Sequence, residues 1–286
     1  MTFISSEKAP ILVTGANGML GSDLVEAFSA KWGSKSVVAT DYLELDITQF
    51  SQVKNFLQKK QFSYIVNAAA YTEVDRAEKE RDKAYLINVV GSENLSAVAN
   101  TLGIPVVHFS TDYVFDGSAK VPLTEKDTPR PCRPNYYGET KLLAEKEILK
   151  SPMNLVLRIQ WLYGKKRERF TALRNKSEFT PFVDQWGAPC WTQDVSRVVV
   201  ELIEQRATGL FHFAYDDYAN WFEVYELVVK ELGLSTRLIP KKTAEVNLPA
   251  QRPLYCVMSN KKLLHQLGRT SLGSWKDSLR TFLKSL

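Results

Sequence analysis

Apolar residues recur along the first half of the chain as short runs separated by amphipathic stretches of ten to twenty residues. The runs at 11–13 (Ile-Leu-Val), 36–40, 64–66, 106–109 and 155–159 are too short for helices, and each is followed by a turn or a polar position. Between them, 22–28, 49–59, 83–102 and 139–149 place apolar residues at helical spacing. Strands alternating with helices through short connections predict a mostly parallel sheet covered on both faces, an α/β fold of the doubly wound, Rossmann-like kind. In such sheets ligands bind beyond the carboxyl ends of the strands. The residues after each apolar run therefore matter most.

After the first run comes Gly15-Ala16-Asn17-Gly18-Met19-Leu20-Gly21. Gly15 permits a tight turn, and Gly18 removes bulk where backbone must approach a pyrophosphate. Gly21 lets the next helix pack closely, and that helix's N-terminus offers free N–H groups with a positive dipole end. Asn17, Met19 and Leu20 complete the loop. By itself a three-glycine run is equally a structural turn. The second run ends in Asp41, at the distance where a carboxylate can accept both hydroxyls of an adenosine ribose and repel a 2′-phosphate, favouring NADH while leaving NADPH open. The alternative is a turn residue. Asp46-Ile47 begins the next connection, where Asp46 either caps the helix at 49–59 or touches the adenine edge. The third run leads into Ala68-Ala69-Ala70, small residues that leave room for a ligand across the sheet.

Ser110-Thr111 follows the fourth run, and Tyr137 and Lys141 stand four apart on a helical stretch, hence on one face. An ammonium beside a phenol favours the phenolate, as does a positively charged nicotinamide ring. Tyr137 can then protonate a carbonyl oxygen as hydride reaches its carbon, with Thr111 bonding the same oxygen. Lys141 would also hold the nicotinamide ribose. Asn88, an amide inside the predicted helix 83–102, is either a surface residue or the holder of a water or a local helix distortion that relays a proton. An isolated YxxxK is usually packing; following a glycine loop, a correctly spaced Asp and a strand-end Thr, it reads as chemistry.

The 286 residues allow one large domain or two smaller ones. A net charge of +5 is spread along the chain, its densest run being 165–169, so a nucleic-acid surface is not indicated. Three scattered cysteines show no metal or disulfide spacing, and His108, His212 and His265 form no metal constellation. No metal is expected. Neither a signal core nor a membrane-length apolar segment is visible, so no membrane is expected and cytoplasm follows by default.

The motifs together resemble the extended short-chain dehydrogenase/reductases and, more narrowly, the dTDP-4-dehydrorhamnose reductase family. The segments carrying this are GANGMLG at 15–21, LDIT at 45–48, NAAAYTEVDRAE at 67–78, STDYVFDG at 110–117, YGETK at 137–141, WLYG at 161–164, VDQWGAP at 183–189 and RPLY at 252–255. The glycine and YxxxK motifs are generic to the superfamily, whereas NAAA-x-T-x-VD-x-AE and STDYVFDG are more specific. The resemblance implies a catalytic trio of Thr111, Tyr137 and Lys141 supported by Asn88. It also implies pyrophosphate contact at Gly18-Met19-Leu20, adenine contact at Asp46-Ile47, and substrate contacts at Thr72, Asp112 and Trp161. The implied reaction reduces the 4-keto group of a nucleotide-linked 6-deoxyhexose with NADH or NADPH. A dinucleotide domain over 1–160 and a smaller mixed α/β substrate domain over 161–286 are expected, with segments around 192–213 returning to the first. A homodimer is compatible with this reading.

Four departures fall in the substrate-facing half. Gln160 stands where the family has a small hydroxyl residue before the tryptophan, 165–170 replaces a glycine/asparagine loop, Cys190 follows Pro189 in place of Thr, and 256–259 lacks the usual S-x-L-D. They keep open a reductase or epimerase for another nucleotide-sugar. A non-catalytic dinucleotide-binding regulatory subunit is the third reading, against which the intact trio counts.

Overall fold

The computed structural model describes residues 9–167 and 170–286. Six strands form one parallel sheet in the spatial order Gly209–His212, Leu155–Ile159, Val106–Thr111, Tyr64–Asn67, Ile11–Thr14 and Val37–Thr40. Chain order reverses between Ile11–Thr14 and Tyr64–Asn67, which opens a crevice at the strands' carboxyl ends. The apolar runs are continuous because both faces are covered: every residue of Ile11–Thr14, Val106–Thr111 and Leu155–Ile159 is buried. One face packs against Met19–Trp32 and Thr192–Glu204, the other against Phe50–Lys59, Gly91–Leu102 and Tyr136–Ile148. Outside this sheet, paired segments of two residues, such as Trp186–Gly187 with Ala219–Asn220, surround the helix Trp221–Glu231.

Two predicted elements differ in detail. The 83–102 helix is an α-helix at Arg81–Tyr85, a π-helical turn at Leu86–Val90 and an α-helix at Gly91–Leu102. Asn88 lies inside the widened turn, its side chain bonded to partners outside the helix. The helix that carries Tyr137 and Lys141 starts earlier than the apolar spacing suggests, at Tyr136, because Asn135 caps it by accepting from the Gly138 N–H at 2.8 Å. Tyr137 therefore lies in the first turn.

Candidate active site

The glycine loop is shaped by backbone crowding. Gly15 has φ +66°, and a Cβ there would lie 2.6 Å from the Ala69 nitrogen; one on Gly21 would lie 2.1 Å from the Gly15 oxygen. Any side chain at either position would push the loop away from Ala68-Ala69 or the helix away from the loop. The helix Met19–Trp32 begins without a side-chain cap and without an acidic residue in its first turn. Its leading N–H groups thus suit an anionic pyrophosphate.

Beside this helix end is a cleft of about 410 Å³, bounded by Gly18-Met19-Leu20 on one side and by Thr111, Asp112, Tyr137 and Lys141 on another. Ala68, Ala70, Thr72, Gln160, Trp161 and Trp221 close it. The fold thus gathers the proposed trio, the pyrophosphate contacts and all the proposed substrate contacts in one place. It does not bring Gly15, Asn17, Asp41, Asp46, Ile47, Ala69 or Asn88 to the wall of this cleft.

Several of them are held in place by contacts within the protein. Asp41 accepts from the Asn17 N–H at 2.9 Å through one oxygen and from the Tyr42 N–H at 2.7 Å through the other. It ties the second strand's end to the glycine loop. Asp46 accepts from the Thr48 N–H and hydroxyl at 3.0 and 2.7 Å, a local turn ahead of Phe50–Lys59. The buried Ile47 side chain fills the space that Gly91 leaves. Asn88 accepts from the Tyr71 N–H at 2.8 Å and donates to the Tyr71 carbonyl at 3.1 Å and the Thr140 hydroxyl at 3.0 Å. It fastens the loop after the third strand to the catalytic helix.

Thr111 is the last residue of its strand, which runs two residues past the expected end at 109, and is 6 % exposed. Its hydroxyl accepts from the Tyr113 N–H at 3.2 Å and donates to Asp112 Oδ1 at 3.0 Å. A carbonyl oxygen entering the cleft must win that single hydrogen from Asp112. Burial raises the Asp112 carboxyl to about 7 against the opposing Thr111 hydroxyl. The Tyr137 phenol departs from the sequence expectation: burial and then the Asp112 charge raise it well above 10, with the Thr111 hydroxyl opposing. Desolvation is the largest of these effects. The free protein therefore holds Tyr137 as an acid, the state a proton donor needs. Burial lowers Lys141 to about 8, with Glu145 opposing.

On the far side Trp161 stacks on Trp221, centroids 4.0 Å apart at 15°. Trp161 has φ +46°, uncommon for a bulky side chain, which marks a strained turn at the site. Trp221 has no motif to single it out and reads as a rim aromatic in the sequence. The stack comes from two segments far apart in the chain, a pairing that spacing cannot reveal.

Gln160 is 2 % exposed, and neither its oxygen nor its nitrogen has a hydrogen-bond partner among the described residues. Its oxygen packs against Gly187, where a Cβ would lie 2.6 Å away and also meet the Trp161 ring at 3.0 Å. A buried, unpartnered amide costs about 1–3 kcal/mol. Gln160→Met, similar in volume and apolar, is expected to raise stability by about 1 kcal/mol or more, read from urea denaturation midpoints. A fall in stability would show that the amide has a partner.

The family-specific segment 67–78 also ties the fold together. Asp75 accepts from the Ala250 N–H at 3.2 Å and from Arg252 Nη2 at 2.7 Å, joining the 67–78 motif to RPLY. Glu78 accepts from the Tyr136 N–H at 2.5 Å, at the start of the catalytic helix. Of the basic run, Lys166 donates to the Asn17 carbonyl of the glycine loop at 3.1 Å, while 168–169 lie outside the described residues.

Residues 9–286 match the family described as the RmlD substrate binding domain. The chain belongs to that family. The dTDP-4-dehydrorhamnose reductase of Clostridium acetobutylicum superposes with a TM-score of 0.91 at 35% identity, covering 96% of this chain and 99% of that one. The Bacillus anthracis dTDP-4-dehydrorhamnose reductase, solved with NADP, also gives 0.91, at 30% identity over 98% of this chain and 100% of the other. The Streptomyces niveus dTDP-4-keto-6-deoxy-D-glucose reductase is 34% identical over 278 residues, 94% of each chain. Among the described residues no helix is long and apolar enough to cross a membrane.

Proposed function

We propose that the chain is an NAD(P)H-dependent nucleotide-sugar reductase that converts the 4-keto group of a dTDP-linked 6-deoxyhexose to a hydroxyl, with dTDP-4-dehydrorhamnose as substrate and dTDP-L-rhamnose as product. The observation that carries this is the convergence of Thr111, Tyr137 and Lys141 on a cleft floored by an uncapped helix N-terminus. A reduced nicotinamide bound there supplies the hydride. Gly18-Met19-Leu20 would hold its pyrophosphate, and Lys141 its ribose. Tyr137 delivers the proton to the carbonyl oxygen, and Thr111 orients that oxygen. Thr72, Asp112 and Trp161 border the sugar, with Trp221 as a further wall.

The test is NADH and NADPH oxidation with dTDP-, UDP- and GDP-linked 4-keto-6-deoxyhexoses, with product stereochemistry determined by NMR. Preference for dTDP-4-dehydrorhamnose and formation of dTDP-L-rhamnose support the proposal. Preference for another nucleotide-sugar moves it to the second reading, which Gln160 beside Trp161 favours. Tight cofactor binding without turnover would favour the regulatory one.

The Asp41 carboxylate carries the finer proposal that NADH is preferred. Its oxygens already hold two backbone N–H groups, so it would select mainly by repelling a 2′-phosphate. Asp41→Ala is expected to tighten NADPH relative to NADH by roughly tenfold, the scale of one charge pair worth about 1.4 kcal/mol. Wild-type binding that is tighter for NADPH and unmoved by the substitution would leave Asp41 as a turn anchor only.

A further inference from the structure

The strand Val106–Thr111 carries one side chain that this chemistry leaves unused. His108 is 1 % exposed and lies between Asn67 on the adjacent strand and Lys141 on the catalytic helix. Its Nδ1 is 3.2 Å from Asn67 Nδ2, and its Nε2 is 3.3 Å from Lys141 Nζ. The neighbours fix its tautomer. The Ala69 backbone N–H can only donate, and it lies 3.2 Å from Asn67 Oδ1, which also accepts from the Thr14 hydroxyl at 2.8 Å. Turning the Asn67 amide over would set its NH₂ against that N–H. Asn67 Nδ2 therefore faces the imidazole, and His108 Nδ1 must accept.

A neutral imidazole with a bare Nδ1 carries its hydrogen on Nε2. That hydrogen points at Lys141 Nζ. An ammonium has donors only, so the contact is a hydrogen bond when Lys141 is an amine and a clash of donors when it is charged. The other titratable groups around Lys141 do not reverse this. Tyr137, on its own helix, is a held phenol. Glu145, one turn further, is committed to Arg158 through two contacts of 2.8 Å, and Asp112 is bonded to Thr111. Burial and then the Lys141 charge hold His108 well below its ordinary value, so a second imidazole proton is disfavoured as well.

We propose that His108 is a positioning residue that weakens the hold of Lys141 on its proton in the cofactor-free protein, so that the neutral amine prevails at mildly alkaline pH, and that binding of an anionic dinucleotide there draws a proton from solvent onto Nζ. The proton takes the lone pair that accepted from His108. The ammonium's hydrogens are then available to the ribose hydroxyls and the Tyr137 oxygen. At that pH Lys141 becomes cationic when there is a cofactor to hold. This rests on the reading of the cleft as a dinucleotide site, and its test separates the two.

Calorimetry of NADH and NADPH binding near pH 8.5, in buffers of differing ionisation enthalpy, is expected to show uptake of roughly half a proton or more per dinucleotide. His108→Gln offers a carboxamide oxygen to the ammonium, so the uptake should fall towards zero at that pH. The alkaline limb of cofactor affinity should move up by about one pH unit. In the unsubstituted protein, ¹⁵N-histidine NMR from about pH 6 to 8.5 should find His108 neutral with its hydrogen on Nε2. His212 is an internal contrast: its Nε2 faces Arg158 at 3.2 Å and its Nδ1 faces the Leu123 carbonyl at 3.2 Å, which puts the hydrogen on Nδ1. An Nδ1–H tautomer or an imidazolium at His108, or dinucleotide binding without proton uptake, overturns the proposal. Binding of neither cofactor would instead remove the dinucleotide reading, and with it the cofactor-driven step; the His108 spectrum would still decide the resting state.

Discussion

Tyr137→Phe is expected to lower turnover by roughly 10²-fold or more while leaving dinucleotide affinity nearly unchanged. The substitution removes the hydroxyl proposed to protonate the carbonyl oxygen, and general acid catalysis contributes about 10²–10⁴-fold. It keeps the ring, whose edge contact with Tyr113 at 6.0 Å packs the first turn of the catalytic helix. The glycine loop and the helix end behind it are untouched. Single-turnover oxidation of the reduced cofactor by an accepted keto-sugar reads the chemical step directly, and fluorescence titration reads binding. A near-native rate would exclude Tyr137 as the proton donor. Equal loss of rate and cofactor affinity would make it a binding residue. Lys141→Met should differ in kind, weakening both, because its ammonium is proposed to serve the ribose as well as the phenol.

The sheet was legible in the sequence because parallel strands buried on both faces must be continuous apolar runs, and Ile11–Thr14 or Leu155–Ile159 can be little else. The cleft was legible where chemistry demands a fixed local spacing: glycines around a helix start, or a phenol and an amine one turn apart. What depended on contacts between distant segments was not. Trp221 meets Trp161 only through folding, and His108 reads as one more strand residue until Asn67 and Lys141 flank it. Asn88 sits within an expected helix, yet its three bonds to Tyr71 and Thr140 accompany a π-helical turn that propensity does not encode. Charge likewise marks a surface without saying which neighbour it approaches, and Lys166 reaches the glycine loop.

Arg158→Met is expected to destabilise the protein by about 3–5 kcal/mol, the scale seen when one member of a buried ion pair is removed. Arg158 and Glu145 are 2 % and 3 % exposed at the side chain, and the guanidinium meets both carboxylate oxygens at 2.8 Å. The same guanidinium donates to His212 and lies 4.9 Å from the Phe115 ring centre, so three other segments converge on it. Glu145 stands one turn beyond Lys141, which makes this pair the rivet between catalytic helix and sheet. Removing the cation strands a carboxylate in the core, and that penalty, more than the lost attraction, sets the magnitude. The double variant Arg158→Met with Glu145→Leu should therefore regain most of the stability lost by the single one. Denaturant midpoints of the wild type, both single variants and the double variant close the thermodynamic cycle. Additive losses would show that the pair is not coupled. In the single variant the stranded Glu145 carboxylate must either take up a proton or draw a positive charge to itself, and Lys141, one turn away on the same helix and already under its influence, is a group able to supply one. Arg158→Met should then favour the Lys141 ammonium before any cofactor arrives, and reduce the proton uptake on dinucleotide binding even where the protein remains folded.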